Sequence, residues 1–344
     1  MAITDKEQGV WILDEVYNKI NQGGIWDYTE IYELYSWGAN TSGELGHNSQ
    51  QARSSPIQIP GTTWSSTSHS RSNGIFGTKT DGTLWSWGAS GYGYGGRNSQ
   101  ASRSSPTQIP GTNWSTGDNG HINGHDFSLM TRTDGTMWAA GRNNQGQLGQ
   151  NDKTDRSSPT QIGGSDGWSA VSGSYDSAMA LRTDGTLWSW GFNREGQVGD
   201  NNGGNPGTYA SVSSPKQLPG TWQDVSTMRE GAYAIRTDGT MWAWGRNETG
   251  QLGLNQFWNP TNNGISSPTQ VGTDTTWSKV SAGTYTVYAT KTDGTFWAWG
   301  NNGSGQIGDT NVYGNFSSPT QIPGNWVDAG FNGGSDWVFG LKKT

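Results

Sequence analysis

The chain has four imidazoles, His47, His69, His121 and His125, and only His121 and His125 stand at a spacing used for metal ligation. They sit in HINGHDF, with Asp126 beside them. An i, i+4 pair holds zinc when a helix turns both rings to one face. Gly124 lies between these two, in a segment that reads as strand. Strand alternation also puts both on one face, but about 13 Å apart. They read as polar strand residues, and no metal is expected. Carboxylates recur as Asp81, Asp134, Asp184, Asp238 and Asp293, each inside the string TDGT. Acid–base chemistry needs two carboxyls in unlike surroundings, and equivalent hairpin tips give like ones. No serine nucleophile elbow stands with a matching His and acid. The runs GASGYGYGG and NNGSGQIG lack a Lys-Ser/Thr step and open no helix, so they do not read as phosphate loops. With no Cys, thiol catalysis, disulfides and Cys–zinc sites are excluded. The expectation is a non-enzyme without cofactor.

The elements that would position any site are a repeat. TDGT starts at Thr80, Thr133, Thr183, Thr237 and Thr292. A Trp-Gly step, once Ala-Gly, ends at Gly38, Gly88, Gly141, Gly191, Gly245 and Gly300. A GQLG-like turn follows from Gly43, Gly93, Gly146, Gly196, Gly250 and Gly305. SSP comes next, ending at Pro56, Pro106, Pro159, Pro215, Pro268 and Pro319, and then a lone Trp at 64, 114, 168, 222, 277 and 326. The period is about 52 residues. Of the 20 Trp, only Trp11, Trp26, Trp258 and Trp337 stand outside it. The 54 Gly among 344 residues are roughly twice the usual share of about 7%.

Each unit reads as strands. In AMALRTDGTLWSWG, Asp184–Gly185 suits a two-residue hairpin, because both residue types tolerate positive φ. Along TLWSWG, Trp188 and Trp190 share one face, and Leu187 and Ser189 the other. SSPTQIP is a third extended run, with its Pro suited to an edge. The run after the lone Trp, such as WSKVSAG, is the fourth. Four strands per unit of this length make one propeller blade. Thr344 falls at the place in the repeat that Thr80 holds, so the chain ends in the register where it begins. Ile31 to Trp37 should pair with Asp336 to Lys343 and close the ring, leaving no bare sheet edge. The expected fold is all-β: a six-bladed β-propeller, rather than seven-bladed, over residues 31–344, with a short N-terminal α-helical extension in residues 1–30.

The blade pattern resembles repeats of the regulator of chromosome condensation type. That pattern, DGxLWxWGxNxxGQLG, stands here as DGTLWSWGFNREGQVG from Asp184 and DGTMWAWGRNETGQLG from Asp238. The resemblance implies a propeller. Propellers carry many unrelated activities, and this family includes exchange factors for small GTPases, chromatin binders, a plant light receptor and a β-lactamase inhibitor. Its best-known members have seven blades, where the spacing here gives six. The near-identical copies RSSPIQIPGTTW and RSSPTQIPGTNW, and the preface ITDKEQGVWILDEVYNKINQGGIWDY, also resemble virion-associated proteins of marine bacteriophages.

Charge narrows the partners. The formal net charge of −7 repels phosphate backbones, so nucleic acid is not expected as a partner. No run of about 20 apolar residues exists, so no membrane insertion is expected. The opening MAITDKEQ lacks the regions of a secretion signal, which points to synthesis in a host cytoplasm. Residues 4–21 read as an amphipathic helix. Thr4 and Glu7 form a capping box, and Val10, Leu13, Tyr17 and Ile20 share one face. With Trp11 and Val16 they are the candidate docking residues, covering either the chain's own propeller or a partner. The repeats differ most between the GQLG turn and SSP, where Tyr209, Phe257, Trp258, Tyr313 and Phe316 stand among polar residues such as Asn259. Aromatic faces with amide partners suit contact with a sugar or a protein. Two functions follow. One is a virion structural protein (tail, fibre or capsid surface), docked to other virion proteins through residues 1–30, able to self-associate in the particle and to touch a host glycan or protein. The other is a cellular interaction scaffold that binds a protein such as a small GTPase.

Overall fold

The computed structural model describes residues 33–69, 73–116, 121–203, 211–257, 264–308, 314–324, 326–330 and 339–342. The expected helix and its residues Val10, Trp11, Leu13, Val16, Tyr17 and Ile20 lie outside them. Among the described residues the structure is β throughout, apart from a short 3-10 turn at Gly91–Gly93. Five complete sheets each have four antiparallel strands in sequence order. Sheet I holds β3 (Trp64–His69), β4 (Gly74–Lys79), β5 (Leu84–Gly88) and β6 (Arg103–Gln108). Sheet II holds β7 (His121–Asn123), β8 (Phe127–Thr131), β9 (Met137–Gly141) and β10 (Arg156–Ile162). Sheet III holds β11 (Trp168–Ser174), β12 (Ser177–Arg182), β13 (Leu187–Phe192) and β14 (Ser211–Leu218). Sheet IV holds β15 (Trp222–Met228), β16 (Gly231–Arg236), β17 (Met241–Gly245) and β18 (Ile265–Gln270). Sheet V holds β19 (Trp277–Ala282), β20 (Thr286–Lys291), β21 (Phe296–Gly300) and β22 (Phe316–Ile322). Two strand pairs flank them: β1 (Tyr35–Gly38) with β2 (Arg53–Gln58), and β23 (Trp326–Gly330) with β24 (Phe339–Lys342).

Two details differ from the expected blade. The run that starts at the lone Trp is the first strand of the following sheet, not the last of its own. Those first strands neighbour one another, β3 against β7, β7 against β11, β11 against β15 and β15 against β19, so they line the axis. Side chains stitch them together. Ser172 Oγ accepts Thr227 N–H at 2.9 Å, Asp224 Oδ2 accepts Val280 N–H at 2.7 Å, and Ser226 Oγ accepts Ala282 N–H at 2.9 Å.

The TDGT hairpin also has three loop residues rather than two. Arg182 N–H donates to Thr186 O at 3.0 Å and Gly185 N–H to Arg182 O at 2.9 Å. Only Gly185 needs positive φ, at 80°. The Asp serves through its side chain instead. Asp184 Oδ1 accepts the backbone N–H and the hydroxyl of Thr186, and Thr186 Oγ1 accepts Trp188 Nε1–H at 3.1 Å. Those two bonds hold the Asp184 carboxyl below its ordinary range. The anchored Trp188 then clamps Arg182 against Trp168, with the guanidinium 4.3 and 4.5 Å from the two ring centroids. Lys79, Arg132, Arg236 and Lys291 sit between Trp pairs in the same way.

Apolar residues pack between consecutive sheets. Leu129, Met137, Leu148 and Ile162 of sheet II meet Trp168, Val171, Ala178 and Trp190 of sheet III. As expected from the alternation, Trp188 and Trp190 face the same seam, while Leu187 faces sheet IV. Three inner Trp then donate into the turn of the sheet before them: Trp87 to Glu44 O, Trp190 to Gln147 O and Trp244 to Gln197 O, at 2.8 to 2.9 Å. That turn comes so near that Gly is required. At Gly196, φ is +82° and a Cβ would lie 2.6 Å from Ser266 Cα. Beyond the turn, Asn201 N–H donates to Ser266 O at 2.7 Å, a bond repeated from Asn48, Asn98, Asn151 and Asn255.

The expected junction of the chain ends is not made within the described residues. β1 pairs only with β2, and β24 only with β23. The register also differs by one residue from the spacing. Lys342 faces Trp326 as Arg182 faces Trp168, so the chain runs one residue past the place held by Thr80 in its own repeat.

Candidate partner-binding face

One end of the sheets carries side chains that do not repeat. Each first strand reverses into its second strand through a short turn, and that turn is bound to the end of the third strand or the loop that follows it. Arg142 N–H donates to Asp126 O, Phe192 N–H to Asp176 O, Arg246 N–H to Glu230 O and Asn301 N–H to Tyr285 O, at 2.8 to 2.9 Å. Turns and loops therefore share one end, and the turns ring the mouth of the axis.

Successive turns hold His125–Asp126, Tyr175–Asp176, Arg229–Glu230 and Thr284–Tyr285. His125 stacks on Tyr175 with centroids 4.9 Å apart and rings 20° from parallel. The Arg229 guanidinium lies over the Tyr175 ring at 4.7 Å and the Tyr285 ring at 5.9 Å, and Nη1 donates to the Tyr285 hydroxyl at 2.8 Å. A continuous stack thus crosses sheets II to V. Tyr175 reaches it with φ of +35°, a left-handed conformation unfavourable for a bulky side chain. Backbone strain of that kind costs on the order of 1–3 kcal/mol and gathers at functional sites.

Charged groups surround the stack. His125 Nδ1 lies 2.9 Å from Asp126 Oδ2, which also pairs with Arg142 Nη1 at 3.7 Å. Gln147 Nε2–H donates to Asp176 Oδ1 at 2.9 Å, yet burial pushes the Asp176 carboxyl up. Burial, and then the charge of Glu230, raises Glu195 likewise. Arg246 bridges Glu230 and Glu248. Farther out, Arg142 lies 5.3 Å from the ring of Tyr92, which is 43% exposed.

The residues expected to make contacts fall out as follows. Phe257 is exposed. Phe316 opens β22 and is half-buried against the cores on both sides of sheet V. Tyr209, Trp258, Asn259 and Tyr313 lie outside the described residues. The described ends of the loops that bear them lie at the same end of the sheets as the mouth. His125 is in a turn, not on a strand face with His121, because β7 ends at Asn123. Among the described residues, no group of three or more His, Cys, Asp or Glu is placed to hold a metal ion. Sequence reasoning missed the mouth itself. Its signal was present: the residues just before the second strands of sheets II to V read HD, YD, RE and TY, while the third strands are near copies, MWAAG, LWSWGF, MWAWG and FWAWG.

The architecture has known counterparts. Over 90% of this chain and 81% of the other, human WBSCR16 superposes with a TM-score of 0.74 at 21% identity. Prp20p of Saccharomyces cerevisiae, whose structure was reported with its binding properties to Gsp1p and histones, superposes over 91% of this chain and 79% of its own, with a TM-score of 0.71 at 20% identity. Yeast RCC1 (Prp20) bound to Kap60 matches over 92% of each chain, with a TM-score of 0.58 at 18% identity. No curated protein matches. The model of the RCC1-like domain family, by contrast, matches residues 33–333, and the chain belongs to that family.

Proposed function

We propose that this protein is a non-enzymatic binding platform: a closed six-bladed propeller that receives a protein partner on the mouth face. The observation that carries the reading is the His125–Tyr175–Arg229–Tyr285 stack, a non-repeating arrangement set on a repeating scaffold. Tyr and Arg are the residue types that dominate binding energy at interfaces, and turns held by rigid strands are where propellers vary. The partner class follows from the family and from the Gsp1p and histone binding described for Prp20p. Calorimetric titration of the purified full chain with Gsp1p, and separately with histones, tests it. Saturable binding to either, weakened at least tenfold by Tyr175→Ala with the fold intact, is expected. Absence of binding to both would overturn the partner class. The virion reading draws on residues 1–30 and on the style of the repeats, and no feature of the mouth favours it.

Closure at six blades has its own support. β23 and β24 hold the places of first and second strands, and β1 and β2 those of third and fourth. Joined, they would complete one sheet, with Phe339 opposite Ser36 in the register of the other blades. Trp37 is 60% exposed, whereas Trp87, Trp190, Trp244 and Trp299 are at most 1% exposed. In a closed ring its place would be against sheet V. There the Tyr288 hydroxyl donates to Gln306 O as Tyr233 does to Gln251 O, and Trp299 Nε1–H meets that Tyr233 hydroxyl at 3.0 Å.

A further inference from the structure

We propose that Arg229 is the seat for a single carboxylate, presented by a partner face that is otherwise basic. The inference rests on the mouth being the partner-binding face and names what the partner must carry there. Arg142, Arg194 and Arg246 on this end are each committed to a carboxylate: Asp126, Glu195, and the Glu230–Glu248 pair. No described carboxylate forms an ion pair with Arg229. Its polar contact is with the Tyr285 hydroxyl, and its Nε–H is buried without an acceptor.

Two tyrosine rings fix the plane of this guanidinium. A planar fork whose orientation is already set loses little entropy when a carboxylate docks on it. The strained Tyr175 backbone is part of that setting, because its ring lies between His125 and Arg229. The surroundings decide what else the partner can carry. Asp126, Asp176, Glu195, Glu230 and Glu248 stand around the stack, against three arginines that they already engage. A polyanion or a phosphate-rich surface would meet these five carboxylates and be repelled. A basic face would be attracted, and one acidic residue within it would be drawn to Arg229, the cation of the stack that has no carboxylate. Tyrosine faces on either side would keep water from that pair, which strengthens it.

A double-mutant cycle tests the pairing on the full chain. The probes are a short Lys/Arg-rich peptide with one central Glu and the same peptide with Gln there, titrated by fluorescence anisotropy. The Glu peptide should bind the wild type at least about fivefold more tightly than the Gln peptide. Arg229→Gln should abolish that preference while leaving the affinity of the Gln peptide nearly unchanged, and Arg229→Lys should restore part of it. Thermal unfolding of each variant checks that the turn still folds. Equal binding of the two peptides by the wild type would overturn the proposal and leave the platform reading standing. A preference that survives Arg229→Gln would place the acid elsewhere and overturn it too. If neither peptide binds, the basic partner face is wrong. Tighter binding by an all-Glu peptide would point instead to an acidic partner and would also sink it.

Discussion

Asp224 shows how one residue can work against the stability of the ring it joins. It lies on an axis-lining strand and bridges to sheet V through Val280 N–H. Burial pushes its carboxyl up to about 6, although the N–H groups of Val280 and Val225 and the charge of Lys279 pull the other way. The folded value stands above the ordinary one, so the contribution to stability is full below the ordinary carboxylate range and is lost as pH rises through about 6. Asp224→Asn keeps an oxygen for Val280 and removes the buried charge. It should raise stability by on the order of 1–3 kcal/mol near pH 8. The gain should shrink towards zero near pH 4, where the wild-type carboxyl is already neutral. Thermal unfolding at both pH values checks this; a lower melting temperature for the variant near pH 8 would show that the hydrogen bonds outweigh the desolvation.

At the scale of the elements, the seam between sheets I and II breaks the pattern. Ala140 stands where the other complete sheets have their inner Trp, and Tyr94 stands where the turns of sheets II to V have Gln and the first turn has Glu44. Both are buried in one cluster, and Ser128, the cross-strand partner of Ala140, donates to Tyr94 O at 2.8 Å. The bulk lost from the strand has moved to the turn. Ala140→Trp should therefore overpack the seam and cost about 1–3 kcal/mol. Adding Tyr94→Gln, which restores the usual pair, should recover most of that. Chemical denaturation of the two single variants and the double variant measures the coupling, and strictly additive losses would refute the exchange. The sequence showed Ala140 as an odd residue but not its compensation, which lies 46 positions away in the chain. The strands were legible because alternation and the repeated Trp dictate them. The extra loop residue in TDGT was not, since Asp-Gly chemistry suits either hairpin length. The mouth was hidden for a related reason. His125, Tyr175, Arg229 and Tyr285 follow one another about fifty residues apart along the chain, and only the packing of successive sheets around an axis makes them neighbours.

For the molecule as a whole, the test of closure is covalent. The chain contains no Cys, so a pair introduced at Ser36 and Phe339 has no competitor. Ser36→Cys with Phe339→Cys should form an intramolecular disulfide under mild oxidation and raise the melting temperature. Non-reducing electrophoresis and mass spectrometry would read it. A bond found only between two chains would mean that the ends meet in a partner molecule, and no bond at all would leave the ring unjoined at this seam. Assembly from near copies carries a hazard of its own. Sheets II to V meet through almost the same Gly, Gln, Trp and Ser contacts, so a growing ring could skip a member or borrow one from another chain with little local penalty. The exchange of bulk between Tyr94 and Ala140 removes that freedom at one place. A Trp-bearing sheet laid against Tyr94 collides, and the Ala-bearing sheet laid against a Gln turn leaves a hole. That mismatched joint is a keyed connector: it fixes which sheet is first and which is second, and so gives an otherwise monotonous ring a starting mark from which its members can be counted.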